Sequence, residues 1–331
     1  MQAMIYRAFG AARDVLHLEE VARQTPEPGE VRVALRWSGV NPSDVKARAG
    51  ARAGVTELPF PAIIPHSDGA GVIADVGADV DPARLGEPVW IWNGQWRRAF
   101  GTAASEITLP AEQAVALPRD IDLQTGAILG IPGLTAVHTV FNGGPVAGKT
   151  VLVQGAAGTV GLLAVQLAKW GGAQVIATAR GAGLERVAAL GADAVFDFTR
   201  PDLAQAILAA SDGAPIDRIV EVEFGLNAAT DTAVIAENGT ICAYGSAQSM
   251  APVLPFYPLM FKAVTLEMAL IYLLTPSQRA AAIDHLNAAL IAGALTCPVA
   301  ETFALADTAA AHEAVEAGNR AGAILVRTGR D

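Results

Sequence analysis

The sequence predicts an α/β protein in which a doubly wound parallel sheet is joined to a second, irregular β domain. Three observations lead there. The stretch Thr150–Arg180, TVLVQGAAGTVGLLAVQLAKWGGAQVIATAR, reads as strand, glycine loop, helix and strand. From about Leu123 to Tyr244, strands alternate with helical segments, the pattern of successive βαβ units. Residues before about Leu123 instead read as short strands cut by proline and glycine.

Taken in order, the candidate strands of the first part are Met4–Phe9, Glu30–Ser38, Ala70–Val76, Pro88–Trp92 and Ala103–Leu109. Thr150–Gln154 is a β-branched apolar run that opens the second part. Val160, Leu163, Ala164, Leu167 and Ala168 then recur at helical spacing, which predicts one buried helix face. Gly171-Gly172 stops this helix, and Gln174–Thr178 is the next strand. Helix Leu184–Leu190, strand Ala194–Asp197 and helix Pro201–Ala210 follow. After them come strand Arg218–Val222, helix Asn227–Ile235 and strand Thr240–Tyr244. Proline spacing over Ala251–Leu259 predicts a connecting loop. Thr275-Pro276 caps a helix to about Ala292, proline being tolerated in a first turn. Strand Glu301–Phe303, helix Thr308–Glu316 and strand Ala323–Arg327 close the chain.

The glycine loop has a chemical reading. Gly155, Ala156, Ala157, Gly158, Thr159, Val160 and Gly161 span the turn and the helix start as A-x-G-x-x-G, with an extra glycine in front. Unpaired amides and the helix dipole favour an anion there, so a pyrophosphate fits. A side chain at Gly158 would obstruct it, and one at Gly161 would separate helix from strand. A glycine triplet alone marks only a tight turn; inside a complete βαβ unit it points to a dinucleotide.

Composition excludes other classes. With 331 residues and 52% hydrophobic content the chain can bury a large core, as about two domains. Its net charge of −10 argues against nucleic acid or an anionic membrane surface as partner. The apolar stretch Ala263–Leu274 contains Glu267 and is too short to span a bilayer. The start MQAMIYRAFG lacks a signal-peptide layout, and Cys242 and Cys297 form no metal or disulfide pattern. A soluble cytoplasmic protein is expected.

Five motifs in order carry a family resemblance: SGVNPSDVKARAG at Ser38–Gly50, PHSDGAGVIADVG at Pro65–Gly77, GIPGLTA at Gly130–Ala136, VLVQGAAGTVG at Val151–Gly161, and the AHEAVEAG and GAILV ending. With these the chain resembles the medium-chain dehydrogenase/reductases, in the zinc-independent quinone oxidoreductase branch that includes zeta-crystallin. The resemblance covers essentially the whole chain. It implies a GroES-like irregular β-barrel catalytic domain, 1–123 with 267–331, around a Rossmann NADP-binding domain, 124–266. It further implies an active site in the cleft between them, and a homodimer joined through the nucleotide-binding domains, with Val253–Leu274 available for burial. In metal-dependent relatives Cys, His and Cys hold zinc; the matching positions here are Asn41, Ser67 and Ile131. None is a good zinc ligand, His66 lies beside the histidine position, and no cysteine-rich lobe precedes Cys242. No metal is expected.

NADPH is the expected cofactor. NAD-specific sites place an acid after the second strand, whereas here the strand ends Thr178-Ala179-Arg180. Arg180 offers a planar fork for a 2′-phosphate, the alternative being a solvated surface arginine. Ala323 stands where relatives often carry lysine. By position, Thr135 is expected near the nicotinamide, with Tyr244-Gly245 and Phe224 at the ligand-binding edge of the sheet. Glu221 and Glu223 either shape the cleft or are solvated.

The candidate catalytic residues are Asn41, Ser43, Asp44 and Lys46, read as one loop. Asn41 can donate to a substrate oxygen or the ribose, and Ser43 holds the hydroxyl position of a proton relay in zinc-dependent relatives. Lys46 replaces a common tyrosine; it either stabilises a developing oxyanion or is solvated. Asp44 is either catalytic or a backbone acceptor in the NPSD turn. Trp90, Trp92 and Trp96 wall a flat pocket or pack under a loop. Three functions compete. The first is NADPH-dependent reduction of quinones or related enones. The second is a 2-alkenal, enoyl or carbonyl reductase, and the third an NADPH-binding sensor or structural protein with little turnover.

Overall fold

The computed structural model describes residues 1–52 and 54–329, which form two compact units, Met1–Ile131 with Cys297–Asp331, and Pro132–Thr296. Strand β1 (Gln2–Ile5) is shorter than expected, because the chain leaves the pairing at Tyr6, which forms only a single bridge with Ile63. After the short helix α1 (Ala12–Val15), β2 (His17–Glu20) pairs antiparallel with β1. Its sequence HLEE has no buried side and gave no signal.

Strand β3 (Glu30–Val40) is the spine of the first unit. Val31, Val33 and Leu35 alternate into the core, the period-two burial expected of EVRVALRW. The next residues correct an expectation: NPSDVKAR is not a loop but helix α2 (Pro42–Arg48), with Asn41 as its N-cap and proline at the start. Strands β4 (Asp68–Val76), β5 (Pro88–Ile91), β6 (Glu106–Pro110) and β7 (Ala114–Ala116) follow, then α3 (Leu123–Gly126).

A π-helical turn over Leu129–Gly133, with Pro132 inside it, leads to the second unit and helix α4 (Leu134–Phe141). There β8 (Thr150–Val153), α5 (Thr159–Trp170), β9 (Gln174–Ala179), α6 (Gly183–Ala189) and β10 (Ala194–Asp197) come first. They are followed by α7 (Leu203–Ala210), β11 (Ile216–Glu221), α8 (Phe224–Val234) and β12 (Ile235–Ala243). The expected loop at Ala251–Leu259 is partly helix α9 (Phe256–Phe261), leading into β13 (Thr265–Met268). The prolines that suggested a loop flank and begin this short helix. All pairings are parallel, in the order β10-β9-β8-β11-β12-β13. Strand order therefore reverses between β8 and β11, the switch point at which ligands bind such sheets.

Helix α5 is buried on all sides from Gly161 to Ala168, not on one face, because α4 packs against it as well as the sheet. Helix α10 (Pro276–Ile291) starts with the expected Thr275 cap, completed by Gln278 as a capping box. It packs on α4 within the second compact unit, Pro132–Thr296. The chain then returns to the first unit with β14 (Val299–Ala304), α11 (Thr308–Ala317) and β15 (Ala323–Arg327). The sheet there has the order β14-β15-β3-β4-β5-β7, with β6 also on β3. Among the described residues no helix is long and apolar enough to cross a membrane.

Candidate functional site

The glycine loop leaves β8 at the switch point. Gly155 has φ +61°, a left-handed conformation, and a Cβ on it would lie 2.6 Å from Val222. A Cβ on Gly161 would meet the Ala156 backbone at 2.6 Å, so helix and turn touch there as expected. Gly158 differs: its nearest neighbour would be the Gly155 carbonyl oxygen at 3.6 Å, an ordinary contact. Nothing among the described residues demands glycine at 158, the N-cap of α5. No side chain caps this helix, and Thr159, Val160 and Gly161 stand in its first turn, where amides lack intrahelical acceptors. Such amides can donate to an acceptor from outside the helix.

Beneath the loop lies a buried polar network. The Gly155 amide donates to the Thr178 hydroxyl at 3.0 Å, and Ala156 N–H to the Thr178 carbonyl at 2.7 Å. Thr178 donates to Gln154 Oε1 at 2.6 Å, and Gln154 Nε2 to Asp231 Oδ1 at 3.0 Å. Thr178 is fully buried, and its hydroxyl braces the loop. Burial pushes the carboxyl pKa of both Asp231 and Glu221 up, and the Glu221 charge pushes Asp231 further. Glu221 accepts from Glu223 N–H and the Asn227 amide, so it is the charged member and Asp231 keeps the proton.

At the carboxyl edge of the sheet, Glu223 accepts the Ala247 and Gln248 amides at 2.9 Å each and ties down that loop. Neither acid is simply solvated. Gly245 cannot carry a Cβ, which would strike the Val222 carbonyl, and its own carbonyl accepts Phe224 N–H at 3.0 Å. Phe224 belongs to the core of the second unit. Burial, then the Glu221 charge, push the Tyr244 phenol pKa up. Arg180 is exposed just beyond β9. Asp197, in register with Ala179 on the next strand, is held below the usual carboxylate range by Thr199 hydrogen bonds, with the Arg180 charge contributing. Thr135 is buried in the first turns of α4.

The first unit holds the other constellation. Asn41 is gripped at both ends: its amide N–H donates to Asp44 Oδ2 at 2.8 Å, and its Nδ2 to Asp68 Oδ2 at 2.7 Å. Asp44 thus closes the capping box of α2 and is buried, which pushes its pKa up to about 7. Burial and then the Asp44 charge push Asp68 well above the usual range, and the Ile131 amide faces its carboxyl. The Asn41 side chain and the Ile131 backbone amide thus meet at one buried acid, Asp68, which follows Ser67 in the chain. The sequence reading missed it, although it stands next to Ser67 in the quoted PHSDG motif.

Behind Asp68 runs a second buried chain. Thr102 donates to the Asp68 carbonyl, Ser38 lies 2.8 Å from both Thr102 and His66 Nδ1, and His66 Nε2 lies 2.8 Å from His312 Nε2. The two imidazoles stack, with centroids 5.0 Å apart. His66 is fully buried at φ +75° and serves this chain. Among the other candidates, Ser43 lies half-buried on α2 and Lys46 is exposed there. Trp90 and Trp92 are buried, which favours packing over an aromatic pocket wall. Trp96 carries Arg97 over its ring at 5.5 Å.

This strand order, with a GroES-like partner and a glycine loop at the switch point, defines a dehydrogenase or reductase of the medium-chain type. The family pattern "Alcohol dehydrogenase GroES-like domain" matches residues 27–119 and "Zinc-binding dehydrogenase" matches 159–288. Rat quinone oxidoreductase is 31% identical over 74% of this chain and 73% of its own length. A tomato (Solanum lycopersicum) 2-methylene-furan-3-one reductase is 35% identical over 60% of this chain and 53% of its own. A mycobacterial protein solved with NADPH superposes with a TM-score of 0.86 at 25% identity, covering 99% of this chain and 100% of that one. The chain belongs to the medium-chain dehydrogenase/reductase family, in its quinone oxidoreductase branch, and is an NAD(P)-dependent enzyme.

Proposed function

We propose that this protein is an NADPH-dependent reductase of quinones or related enones that works by direct hydride transfer without zinc. One observation carries the reading. The three positions matched to the zinc ligands of metal-dependent relatives, Asn41, Ser67 and Ile131, present an amide already bonded to Asp68, a hydroxyl and an aliphatic side chain, a donor set that does not fit the metal. Without a Lewis acid the acceptor must be electrophilic by itself, as a quinone or enone is. When bound, the cofactor supplies the hydride. Asn41, locked by Asp44 and Asp68, offers its remaining amide hydrogen to a substrate oxygen or the ribose. A reduced quinone takes its proton from solvent, so no dedicated base is required.

The preference for NADPH rests on Arg180 and on the absence of an acid at the end of β9. The tomato relative, a 2-methylene-furan-3-one reductase, supports an enone as the second substrate class. We also assign a cytoplasmic homodimer. Strand β13 is the edge of its sheet, and Phe256, Tyr257, Phe261 and Met268 stand exposed on the adjoining surface, an open strand with apolar surroundings that a second copy would cover. The test is oxidation of NADPH and of NADH against quinones, alkenals and enoyl thioesters, followed by stopped flow. Faster turnover of quinones or enones with NADPH is expected. Tight NADPH binding with no acceleration by any acceptor would overturn the enzyme reading in favour of a sensor.

A further inference from the structure

The first unit contains a hydrogen-bond chain whose polarity can be worked out from one end. The Asp68 carbonyl has no proton, so the Thr102 hydroxyl must donate to it. Thr102 Oγ1 then accepts from Ser38 at 2.8 Å. Ser38 has one proton, and its other approach to the same carbonyl is long, at 3.5 Å. Having donated to Thr102, Ser38 can only accept from His66 Nδ1, 2.8 Å away. Burial keeps both imidazoles neutral, so a protonated Nδ1 leaves His66 Nε2 bare. That bare nitrogen lies 2.8 Å from His312 Nε2, which must therefore carry the proton.

The chain is buried throughout and joins α11, near the end of the sequence, to the residue that holds Asn41. His66 keeps a left-handed backbone that a histidine rarely adopts, at φ +75°. Stacking and the two ring hydrogen bonds account for its staying there. Its neighbour in this network, Asp68, then places its carboxyl 2.7 Å from Asn41 Nδ2.

We propose that His312 is a positioning residue for the active site, acting through His66, Ser38 and Thr102 on Asp68 and so on the Asn41 amide. The inference rests on the reading of Asn41 as a substrate or ribose contact. It requires a donor at position 312, not merely bulk. His312→Leu keeps the volume and removes the donor, whereas His312→Gln keeps an N–H.

The experiment has a spectroscopic and a kinetic arm. In the unmodified protein, side-chain 15N spectra at neutral pH should show His66 protonated at Nδ1 and His312 at Nε2. The opposite pair of tautomers would overturn the proposal. In the kinetic arm, His312→Leu should lower kcat about tenfold, with the NADPH KM unchanged within about twofold, since small displacements of an orienting group cost turnover. His312→Gln should restore most of the loss. In an Asn41→Ala background the same His312→Leu change should have no further effect on kcat. A full additional loss there would overturn the positioning role alone. No change in turnover from Asn41→Ala by itself would instead remove the underlying reading of the site, and this inference with it.

Discussion

Gly155 N–H donates to the hydroxyl of Thr178 at 3.0 Å, tying the glycine turn to the second strand of its own βαβ unit. The same hydroxyl donates on to Gln154, so one small side chain joins the turn to the acids under the sheet. Replacing Thr178 by valine keeps the shape and removes both bonds. Unfolding in urea should show a loss of about 2 kcal/mol, the scale for buried partners left unpaired. The NADPH KM should rise, while the NADPH-to-NADH ratio stays where it was. A changed ratio would mean that Thr178 faces the adenosine end of the cofactor.

Gly161 and Gly158 should separate folding from binding. Alanine at 161 must displace the Ala156 backbone, 2.6 Å from the new methyl, and should cost about 1–3 kcal/mol of stability. Alanine at 158 meets nothing closer than 3.6 Å, so stability should change by less than about 1 kcal/mol. Its effect should appear as weaker NADPH binding in a fluorescence titration. Equal loss of stability in both variants would contradict this division.

Arg180→Ala should raise the NADPH KM about tenfold and leave that of NADH alone, given the usual strength of a charged hydrogen bond. The comparison of the two cofactors under one set of conditions is the check. Asp197 would then be the acid next to the empty position, and Arg180→Ala/Asp197→Asn should leave the NADH values unchanged too.

Asp44 makes stability depend on pH. Its carboxyl ordinarily titrates at 3.8 and burial pushes it up to about 7, so between these values the folded state holds a proton that the unfolded state has released. Stability from this group is therefore full below about pH 4 and declines as pH rises to about 7, by up to about 1.4 kcal/mol per pH unit. Asp44→Asn removes the titration and still accepts the Asn41 N–H. Denaturation midpoints measured from pH 4 to 8 should fall less steeply in the variant; parallel curves would be evidence against the buried, protonated acid.

Charge placed on the open edge of the second unit should block pairing of two copies. Met268→Lys together with Phe261→Asp changes two exposed side chains, 67% and 77% accessible, without touching the core. Light scattering should report a dimer for the unmodified protein and a monomer for the variant. A monomer in both cases would refute the dimer.

Much of the second unit was legible because its signals are local. β-branched runs, the glycine loop and the Thr275-Pro276 cap each describe a few neighbouring residues, and the structure repeats them nearly in place. The elements that escaped are short or lie at edges. β2 and β13 have mixed burial, so no alternation marks them, and α2 hides its helical turns behind an Asn-Pro start. In the site, Asn41 and Asp44 could be named from the motif, but not the reason they matter to each other. The acids and histidines that hold them are ordinary letters in sequence: Asp68 begins a strand, and His312 sits between Ala311 and Val315 on a core-facing helix.

By itself, the sequence determined the class of the protein, the place of the glycine loop and the absence of thiolates and imidazoles at the zinc positions. These are properties of residue type and spacing, fixed before the chain folds. Only the tertiary structure decided that Thr178 is a brace, that Phe224 and Trp90 are core, and that Asp68 stands between Asn41 and a histidine pair 246 residues apart. Burial and hydrogen-bond partnership arise from the packing of distant segments. A window of neighbouring residues cannot contain them.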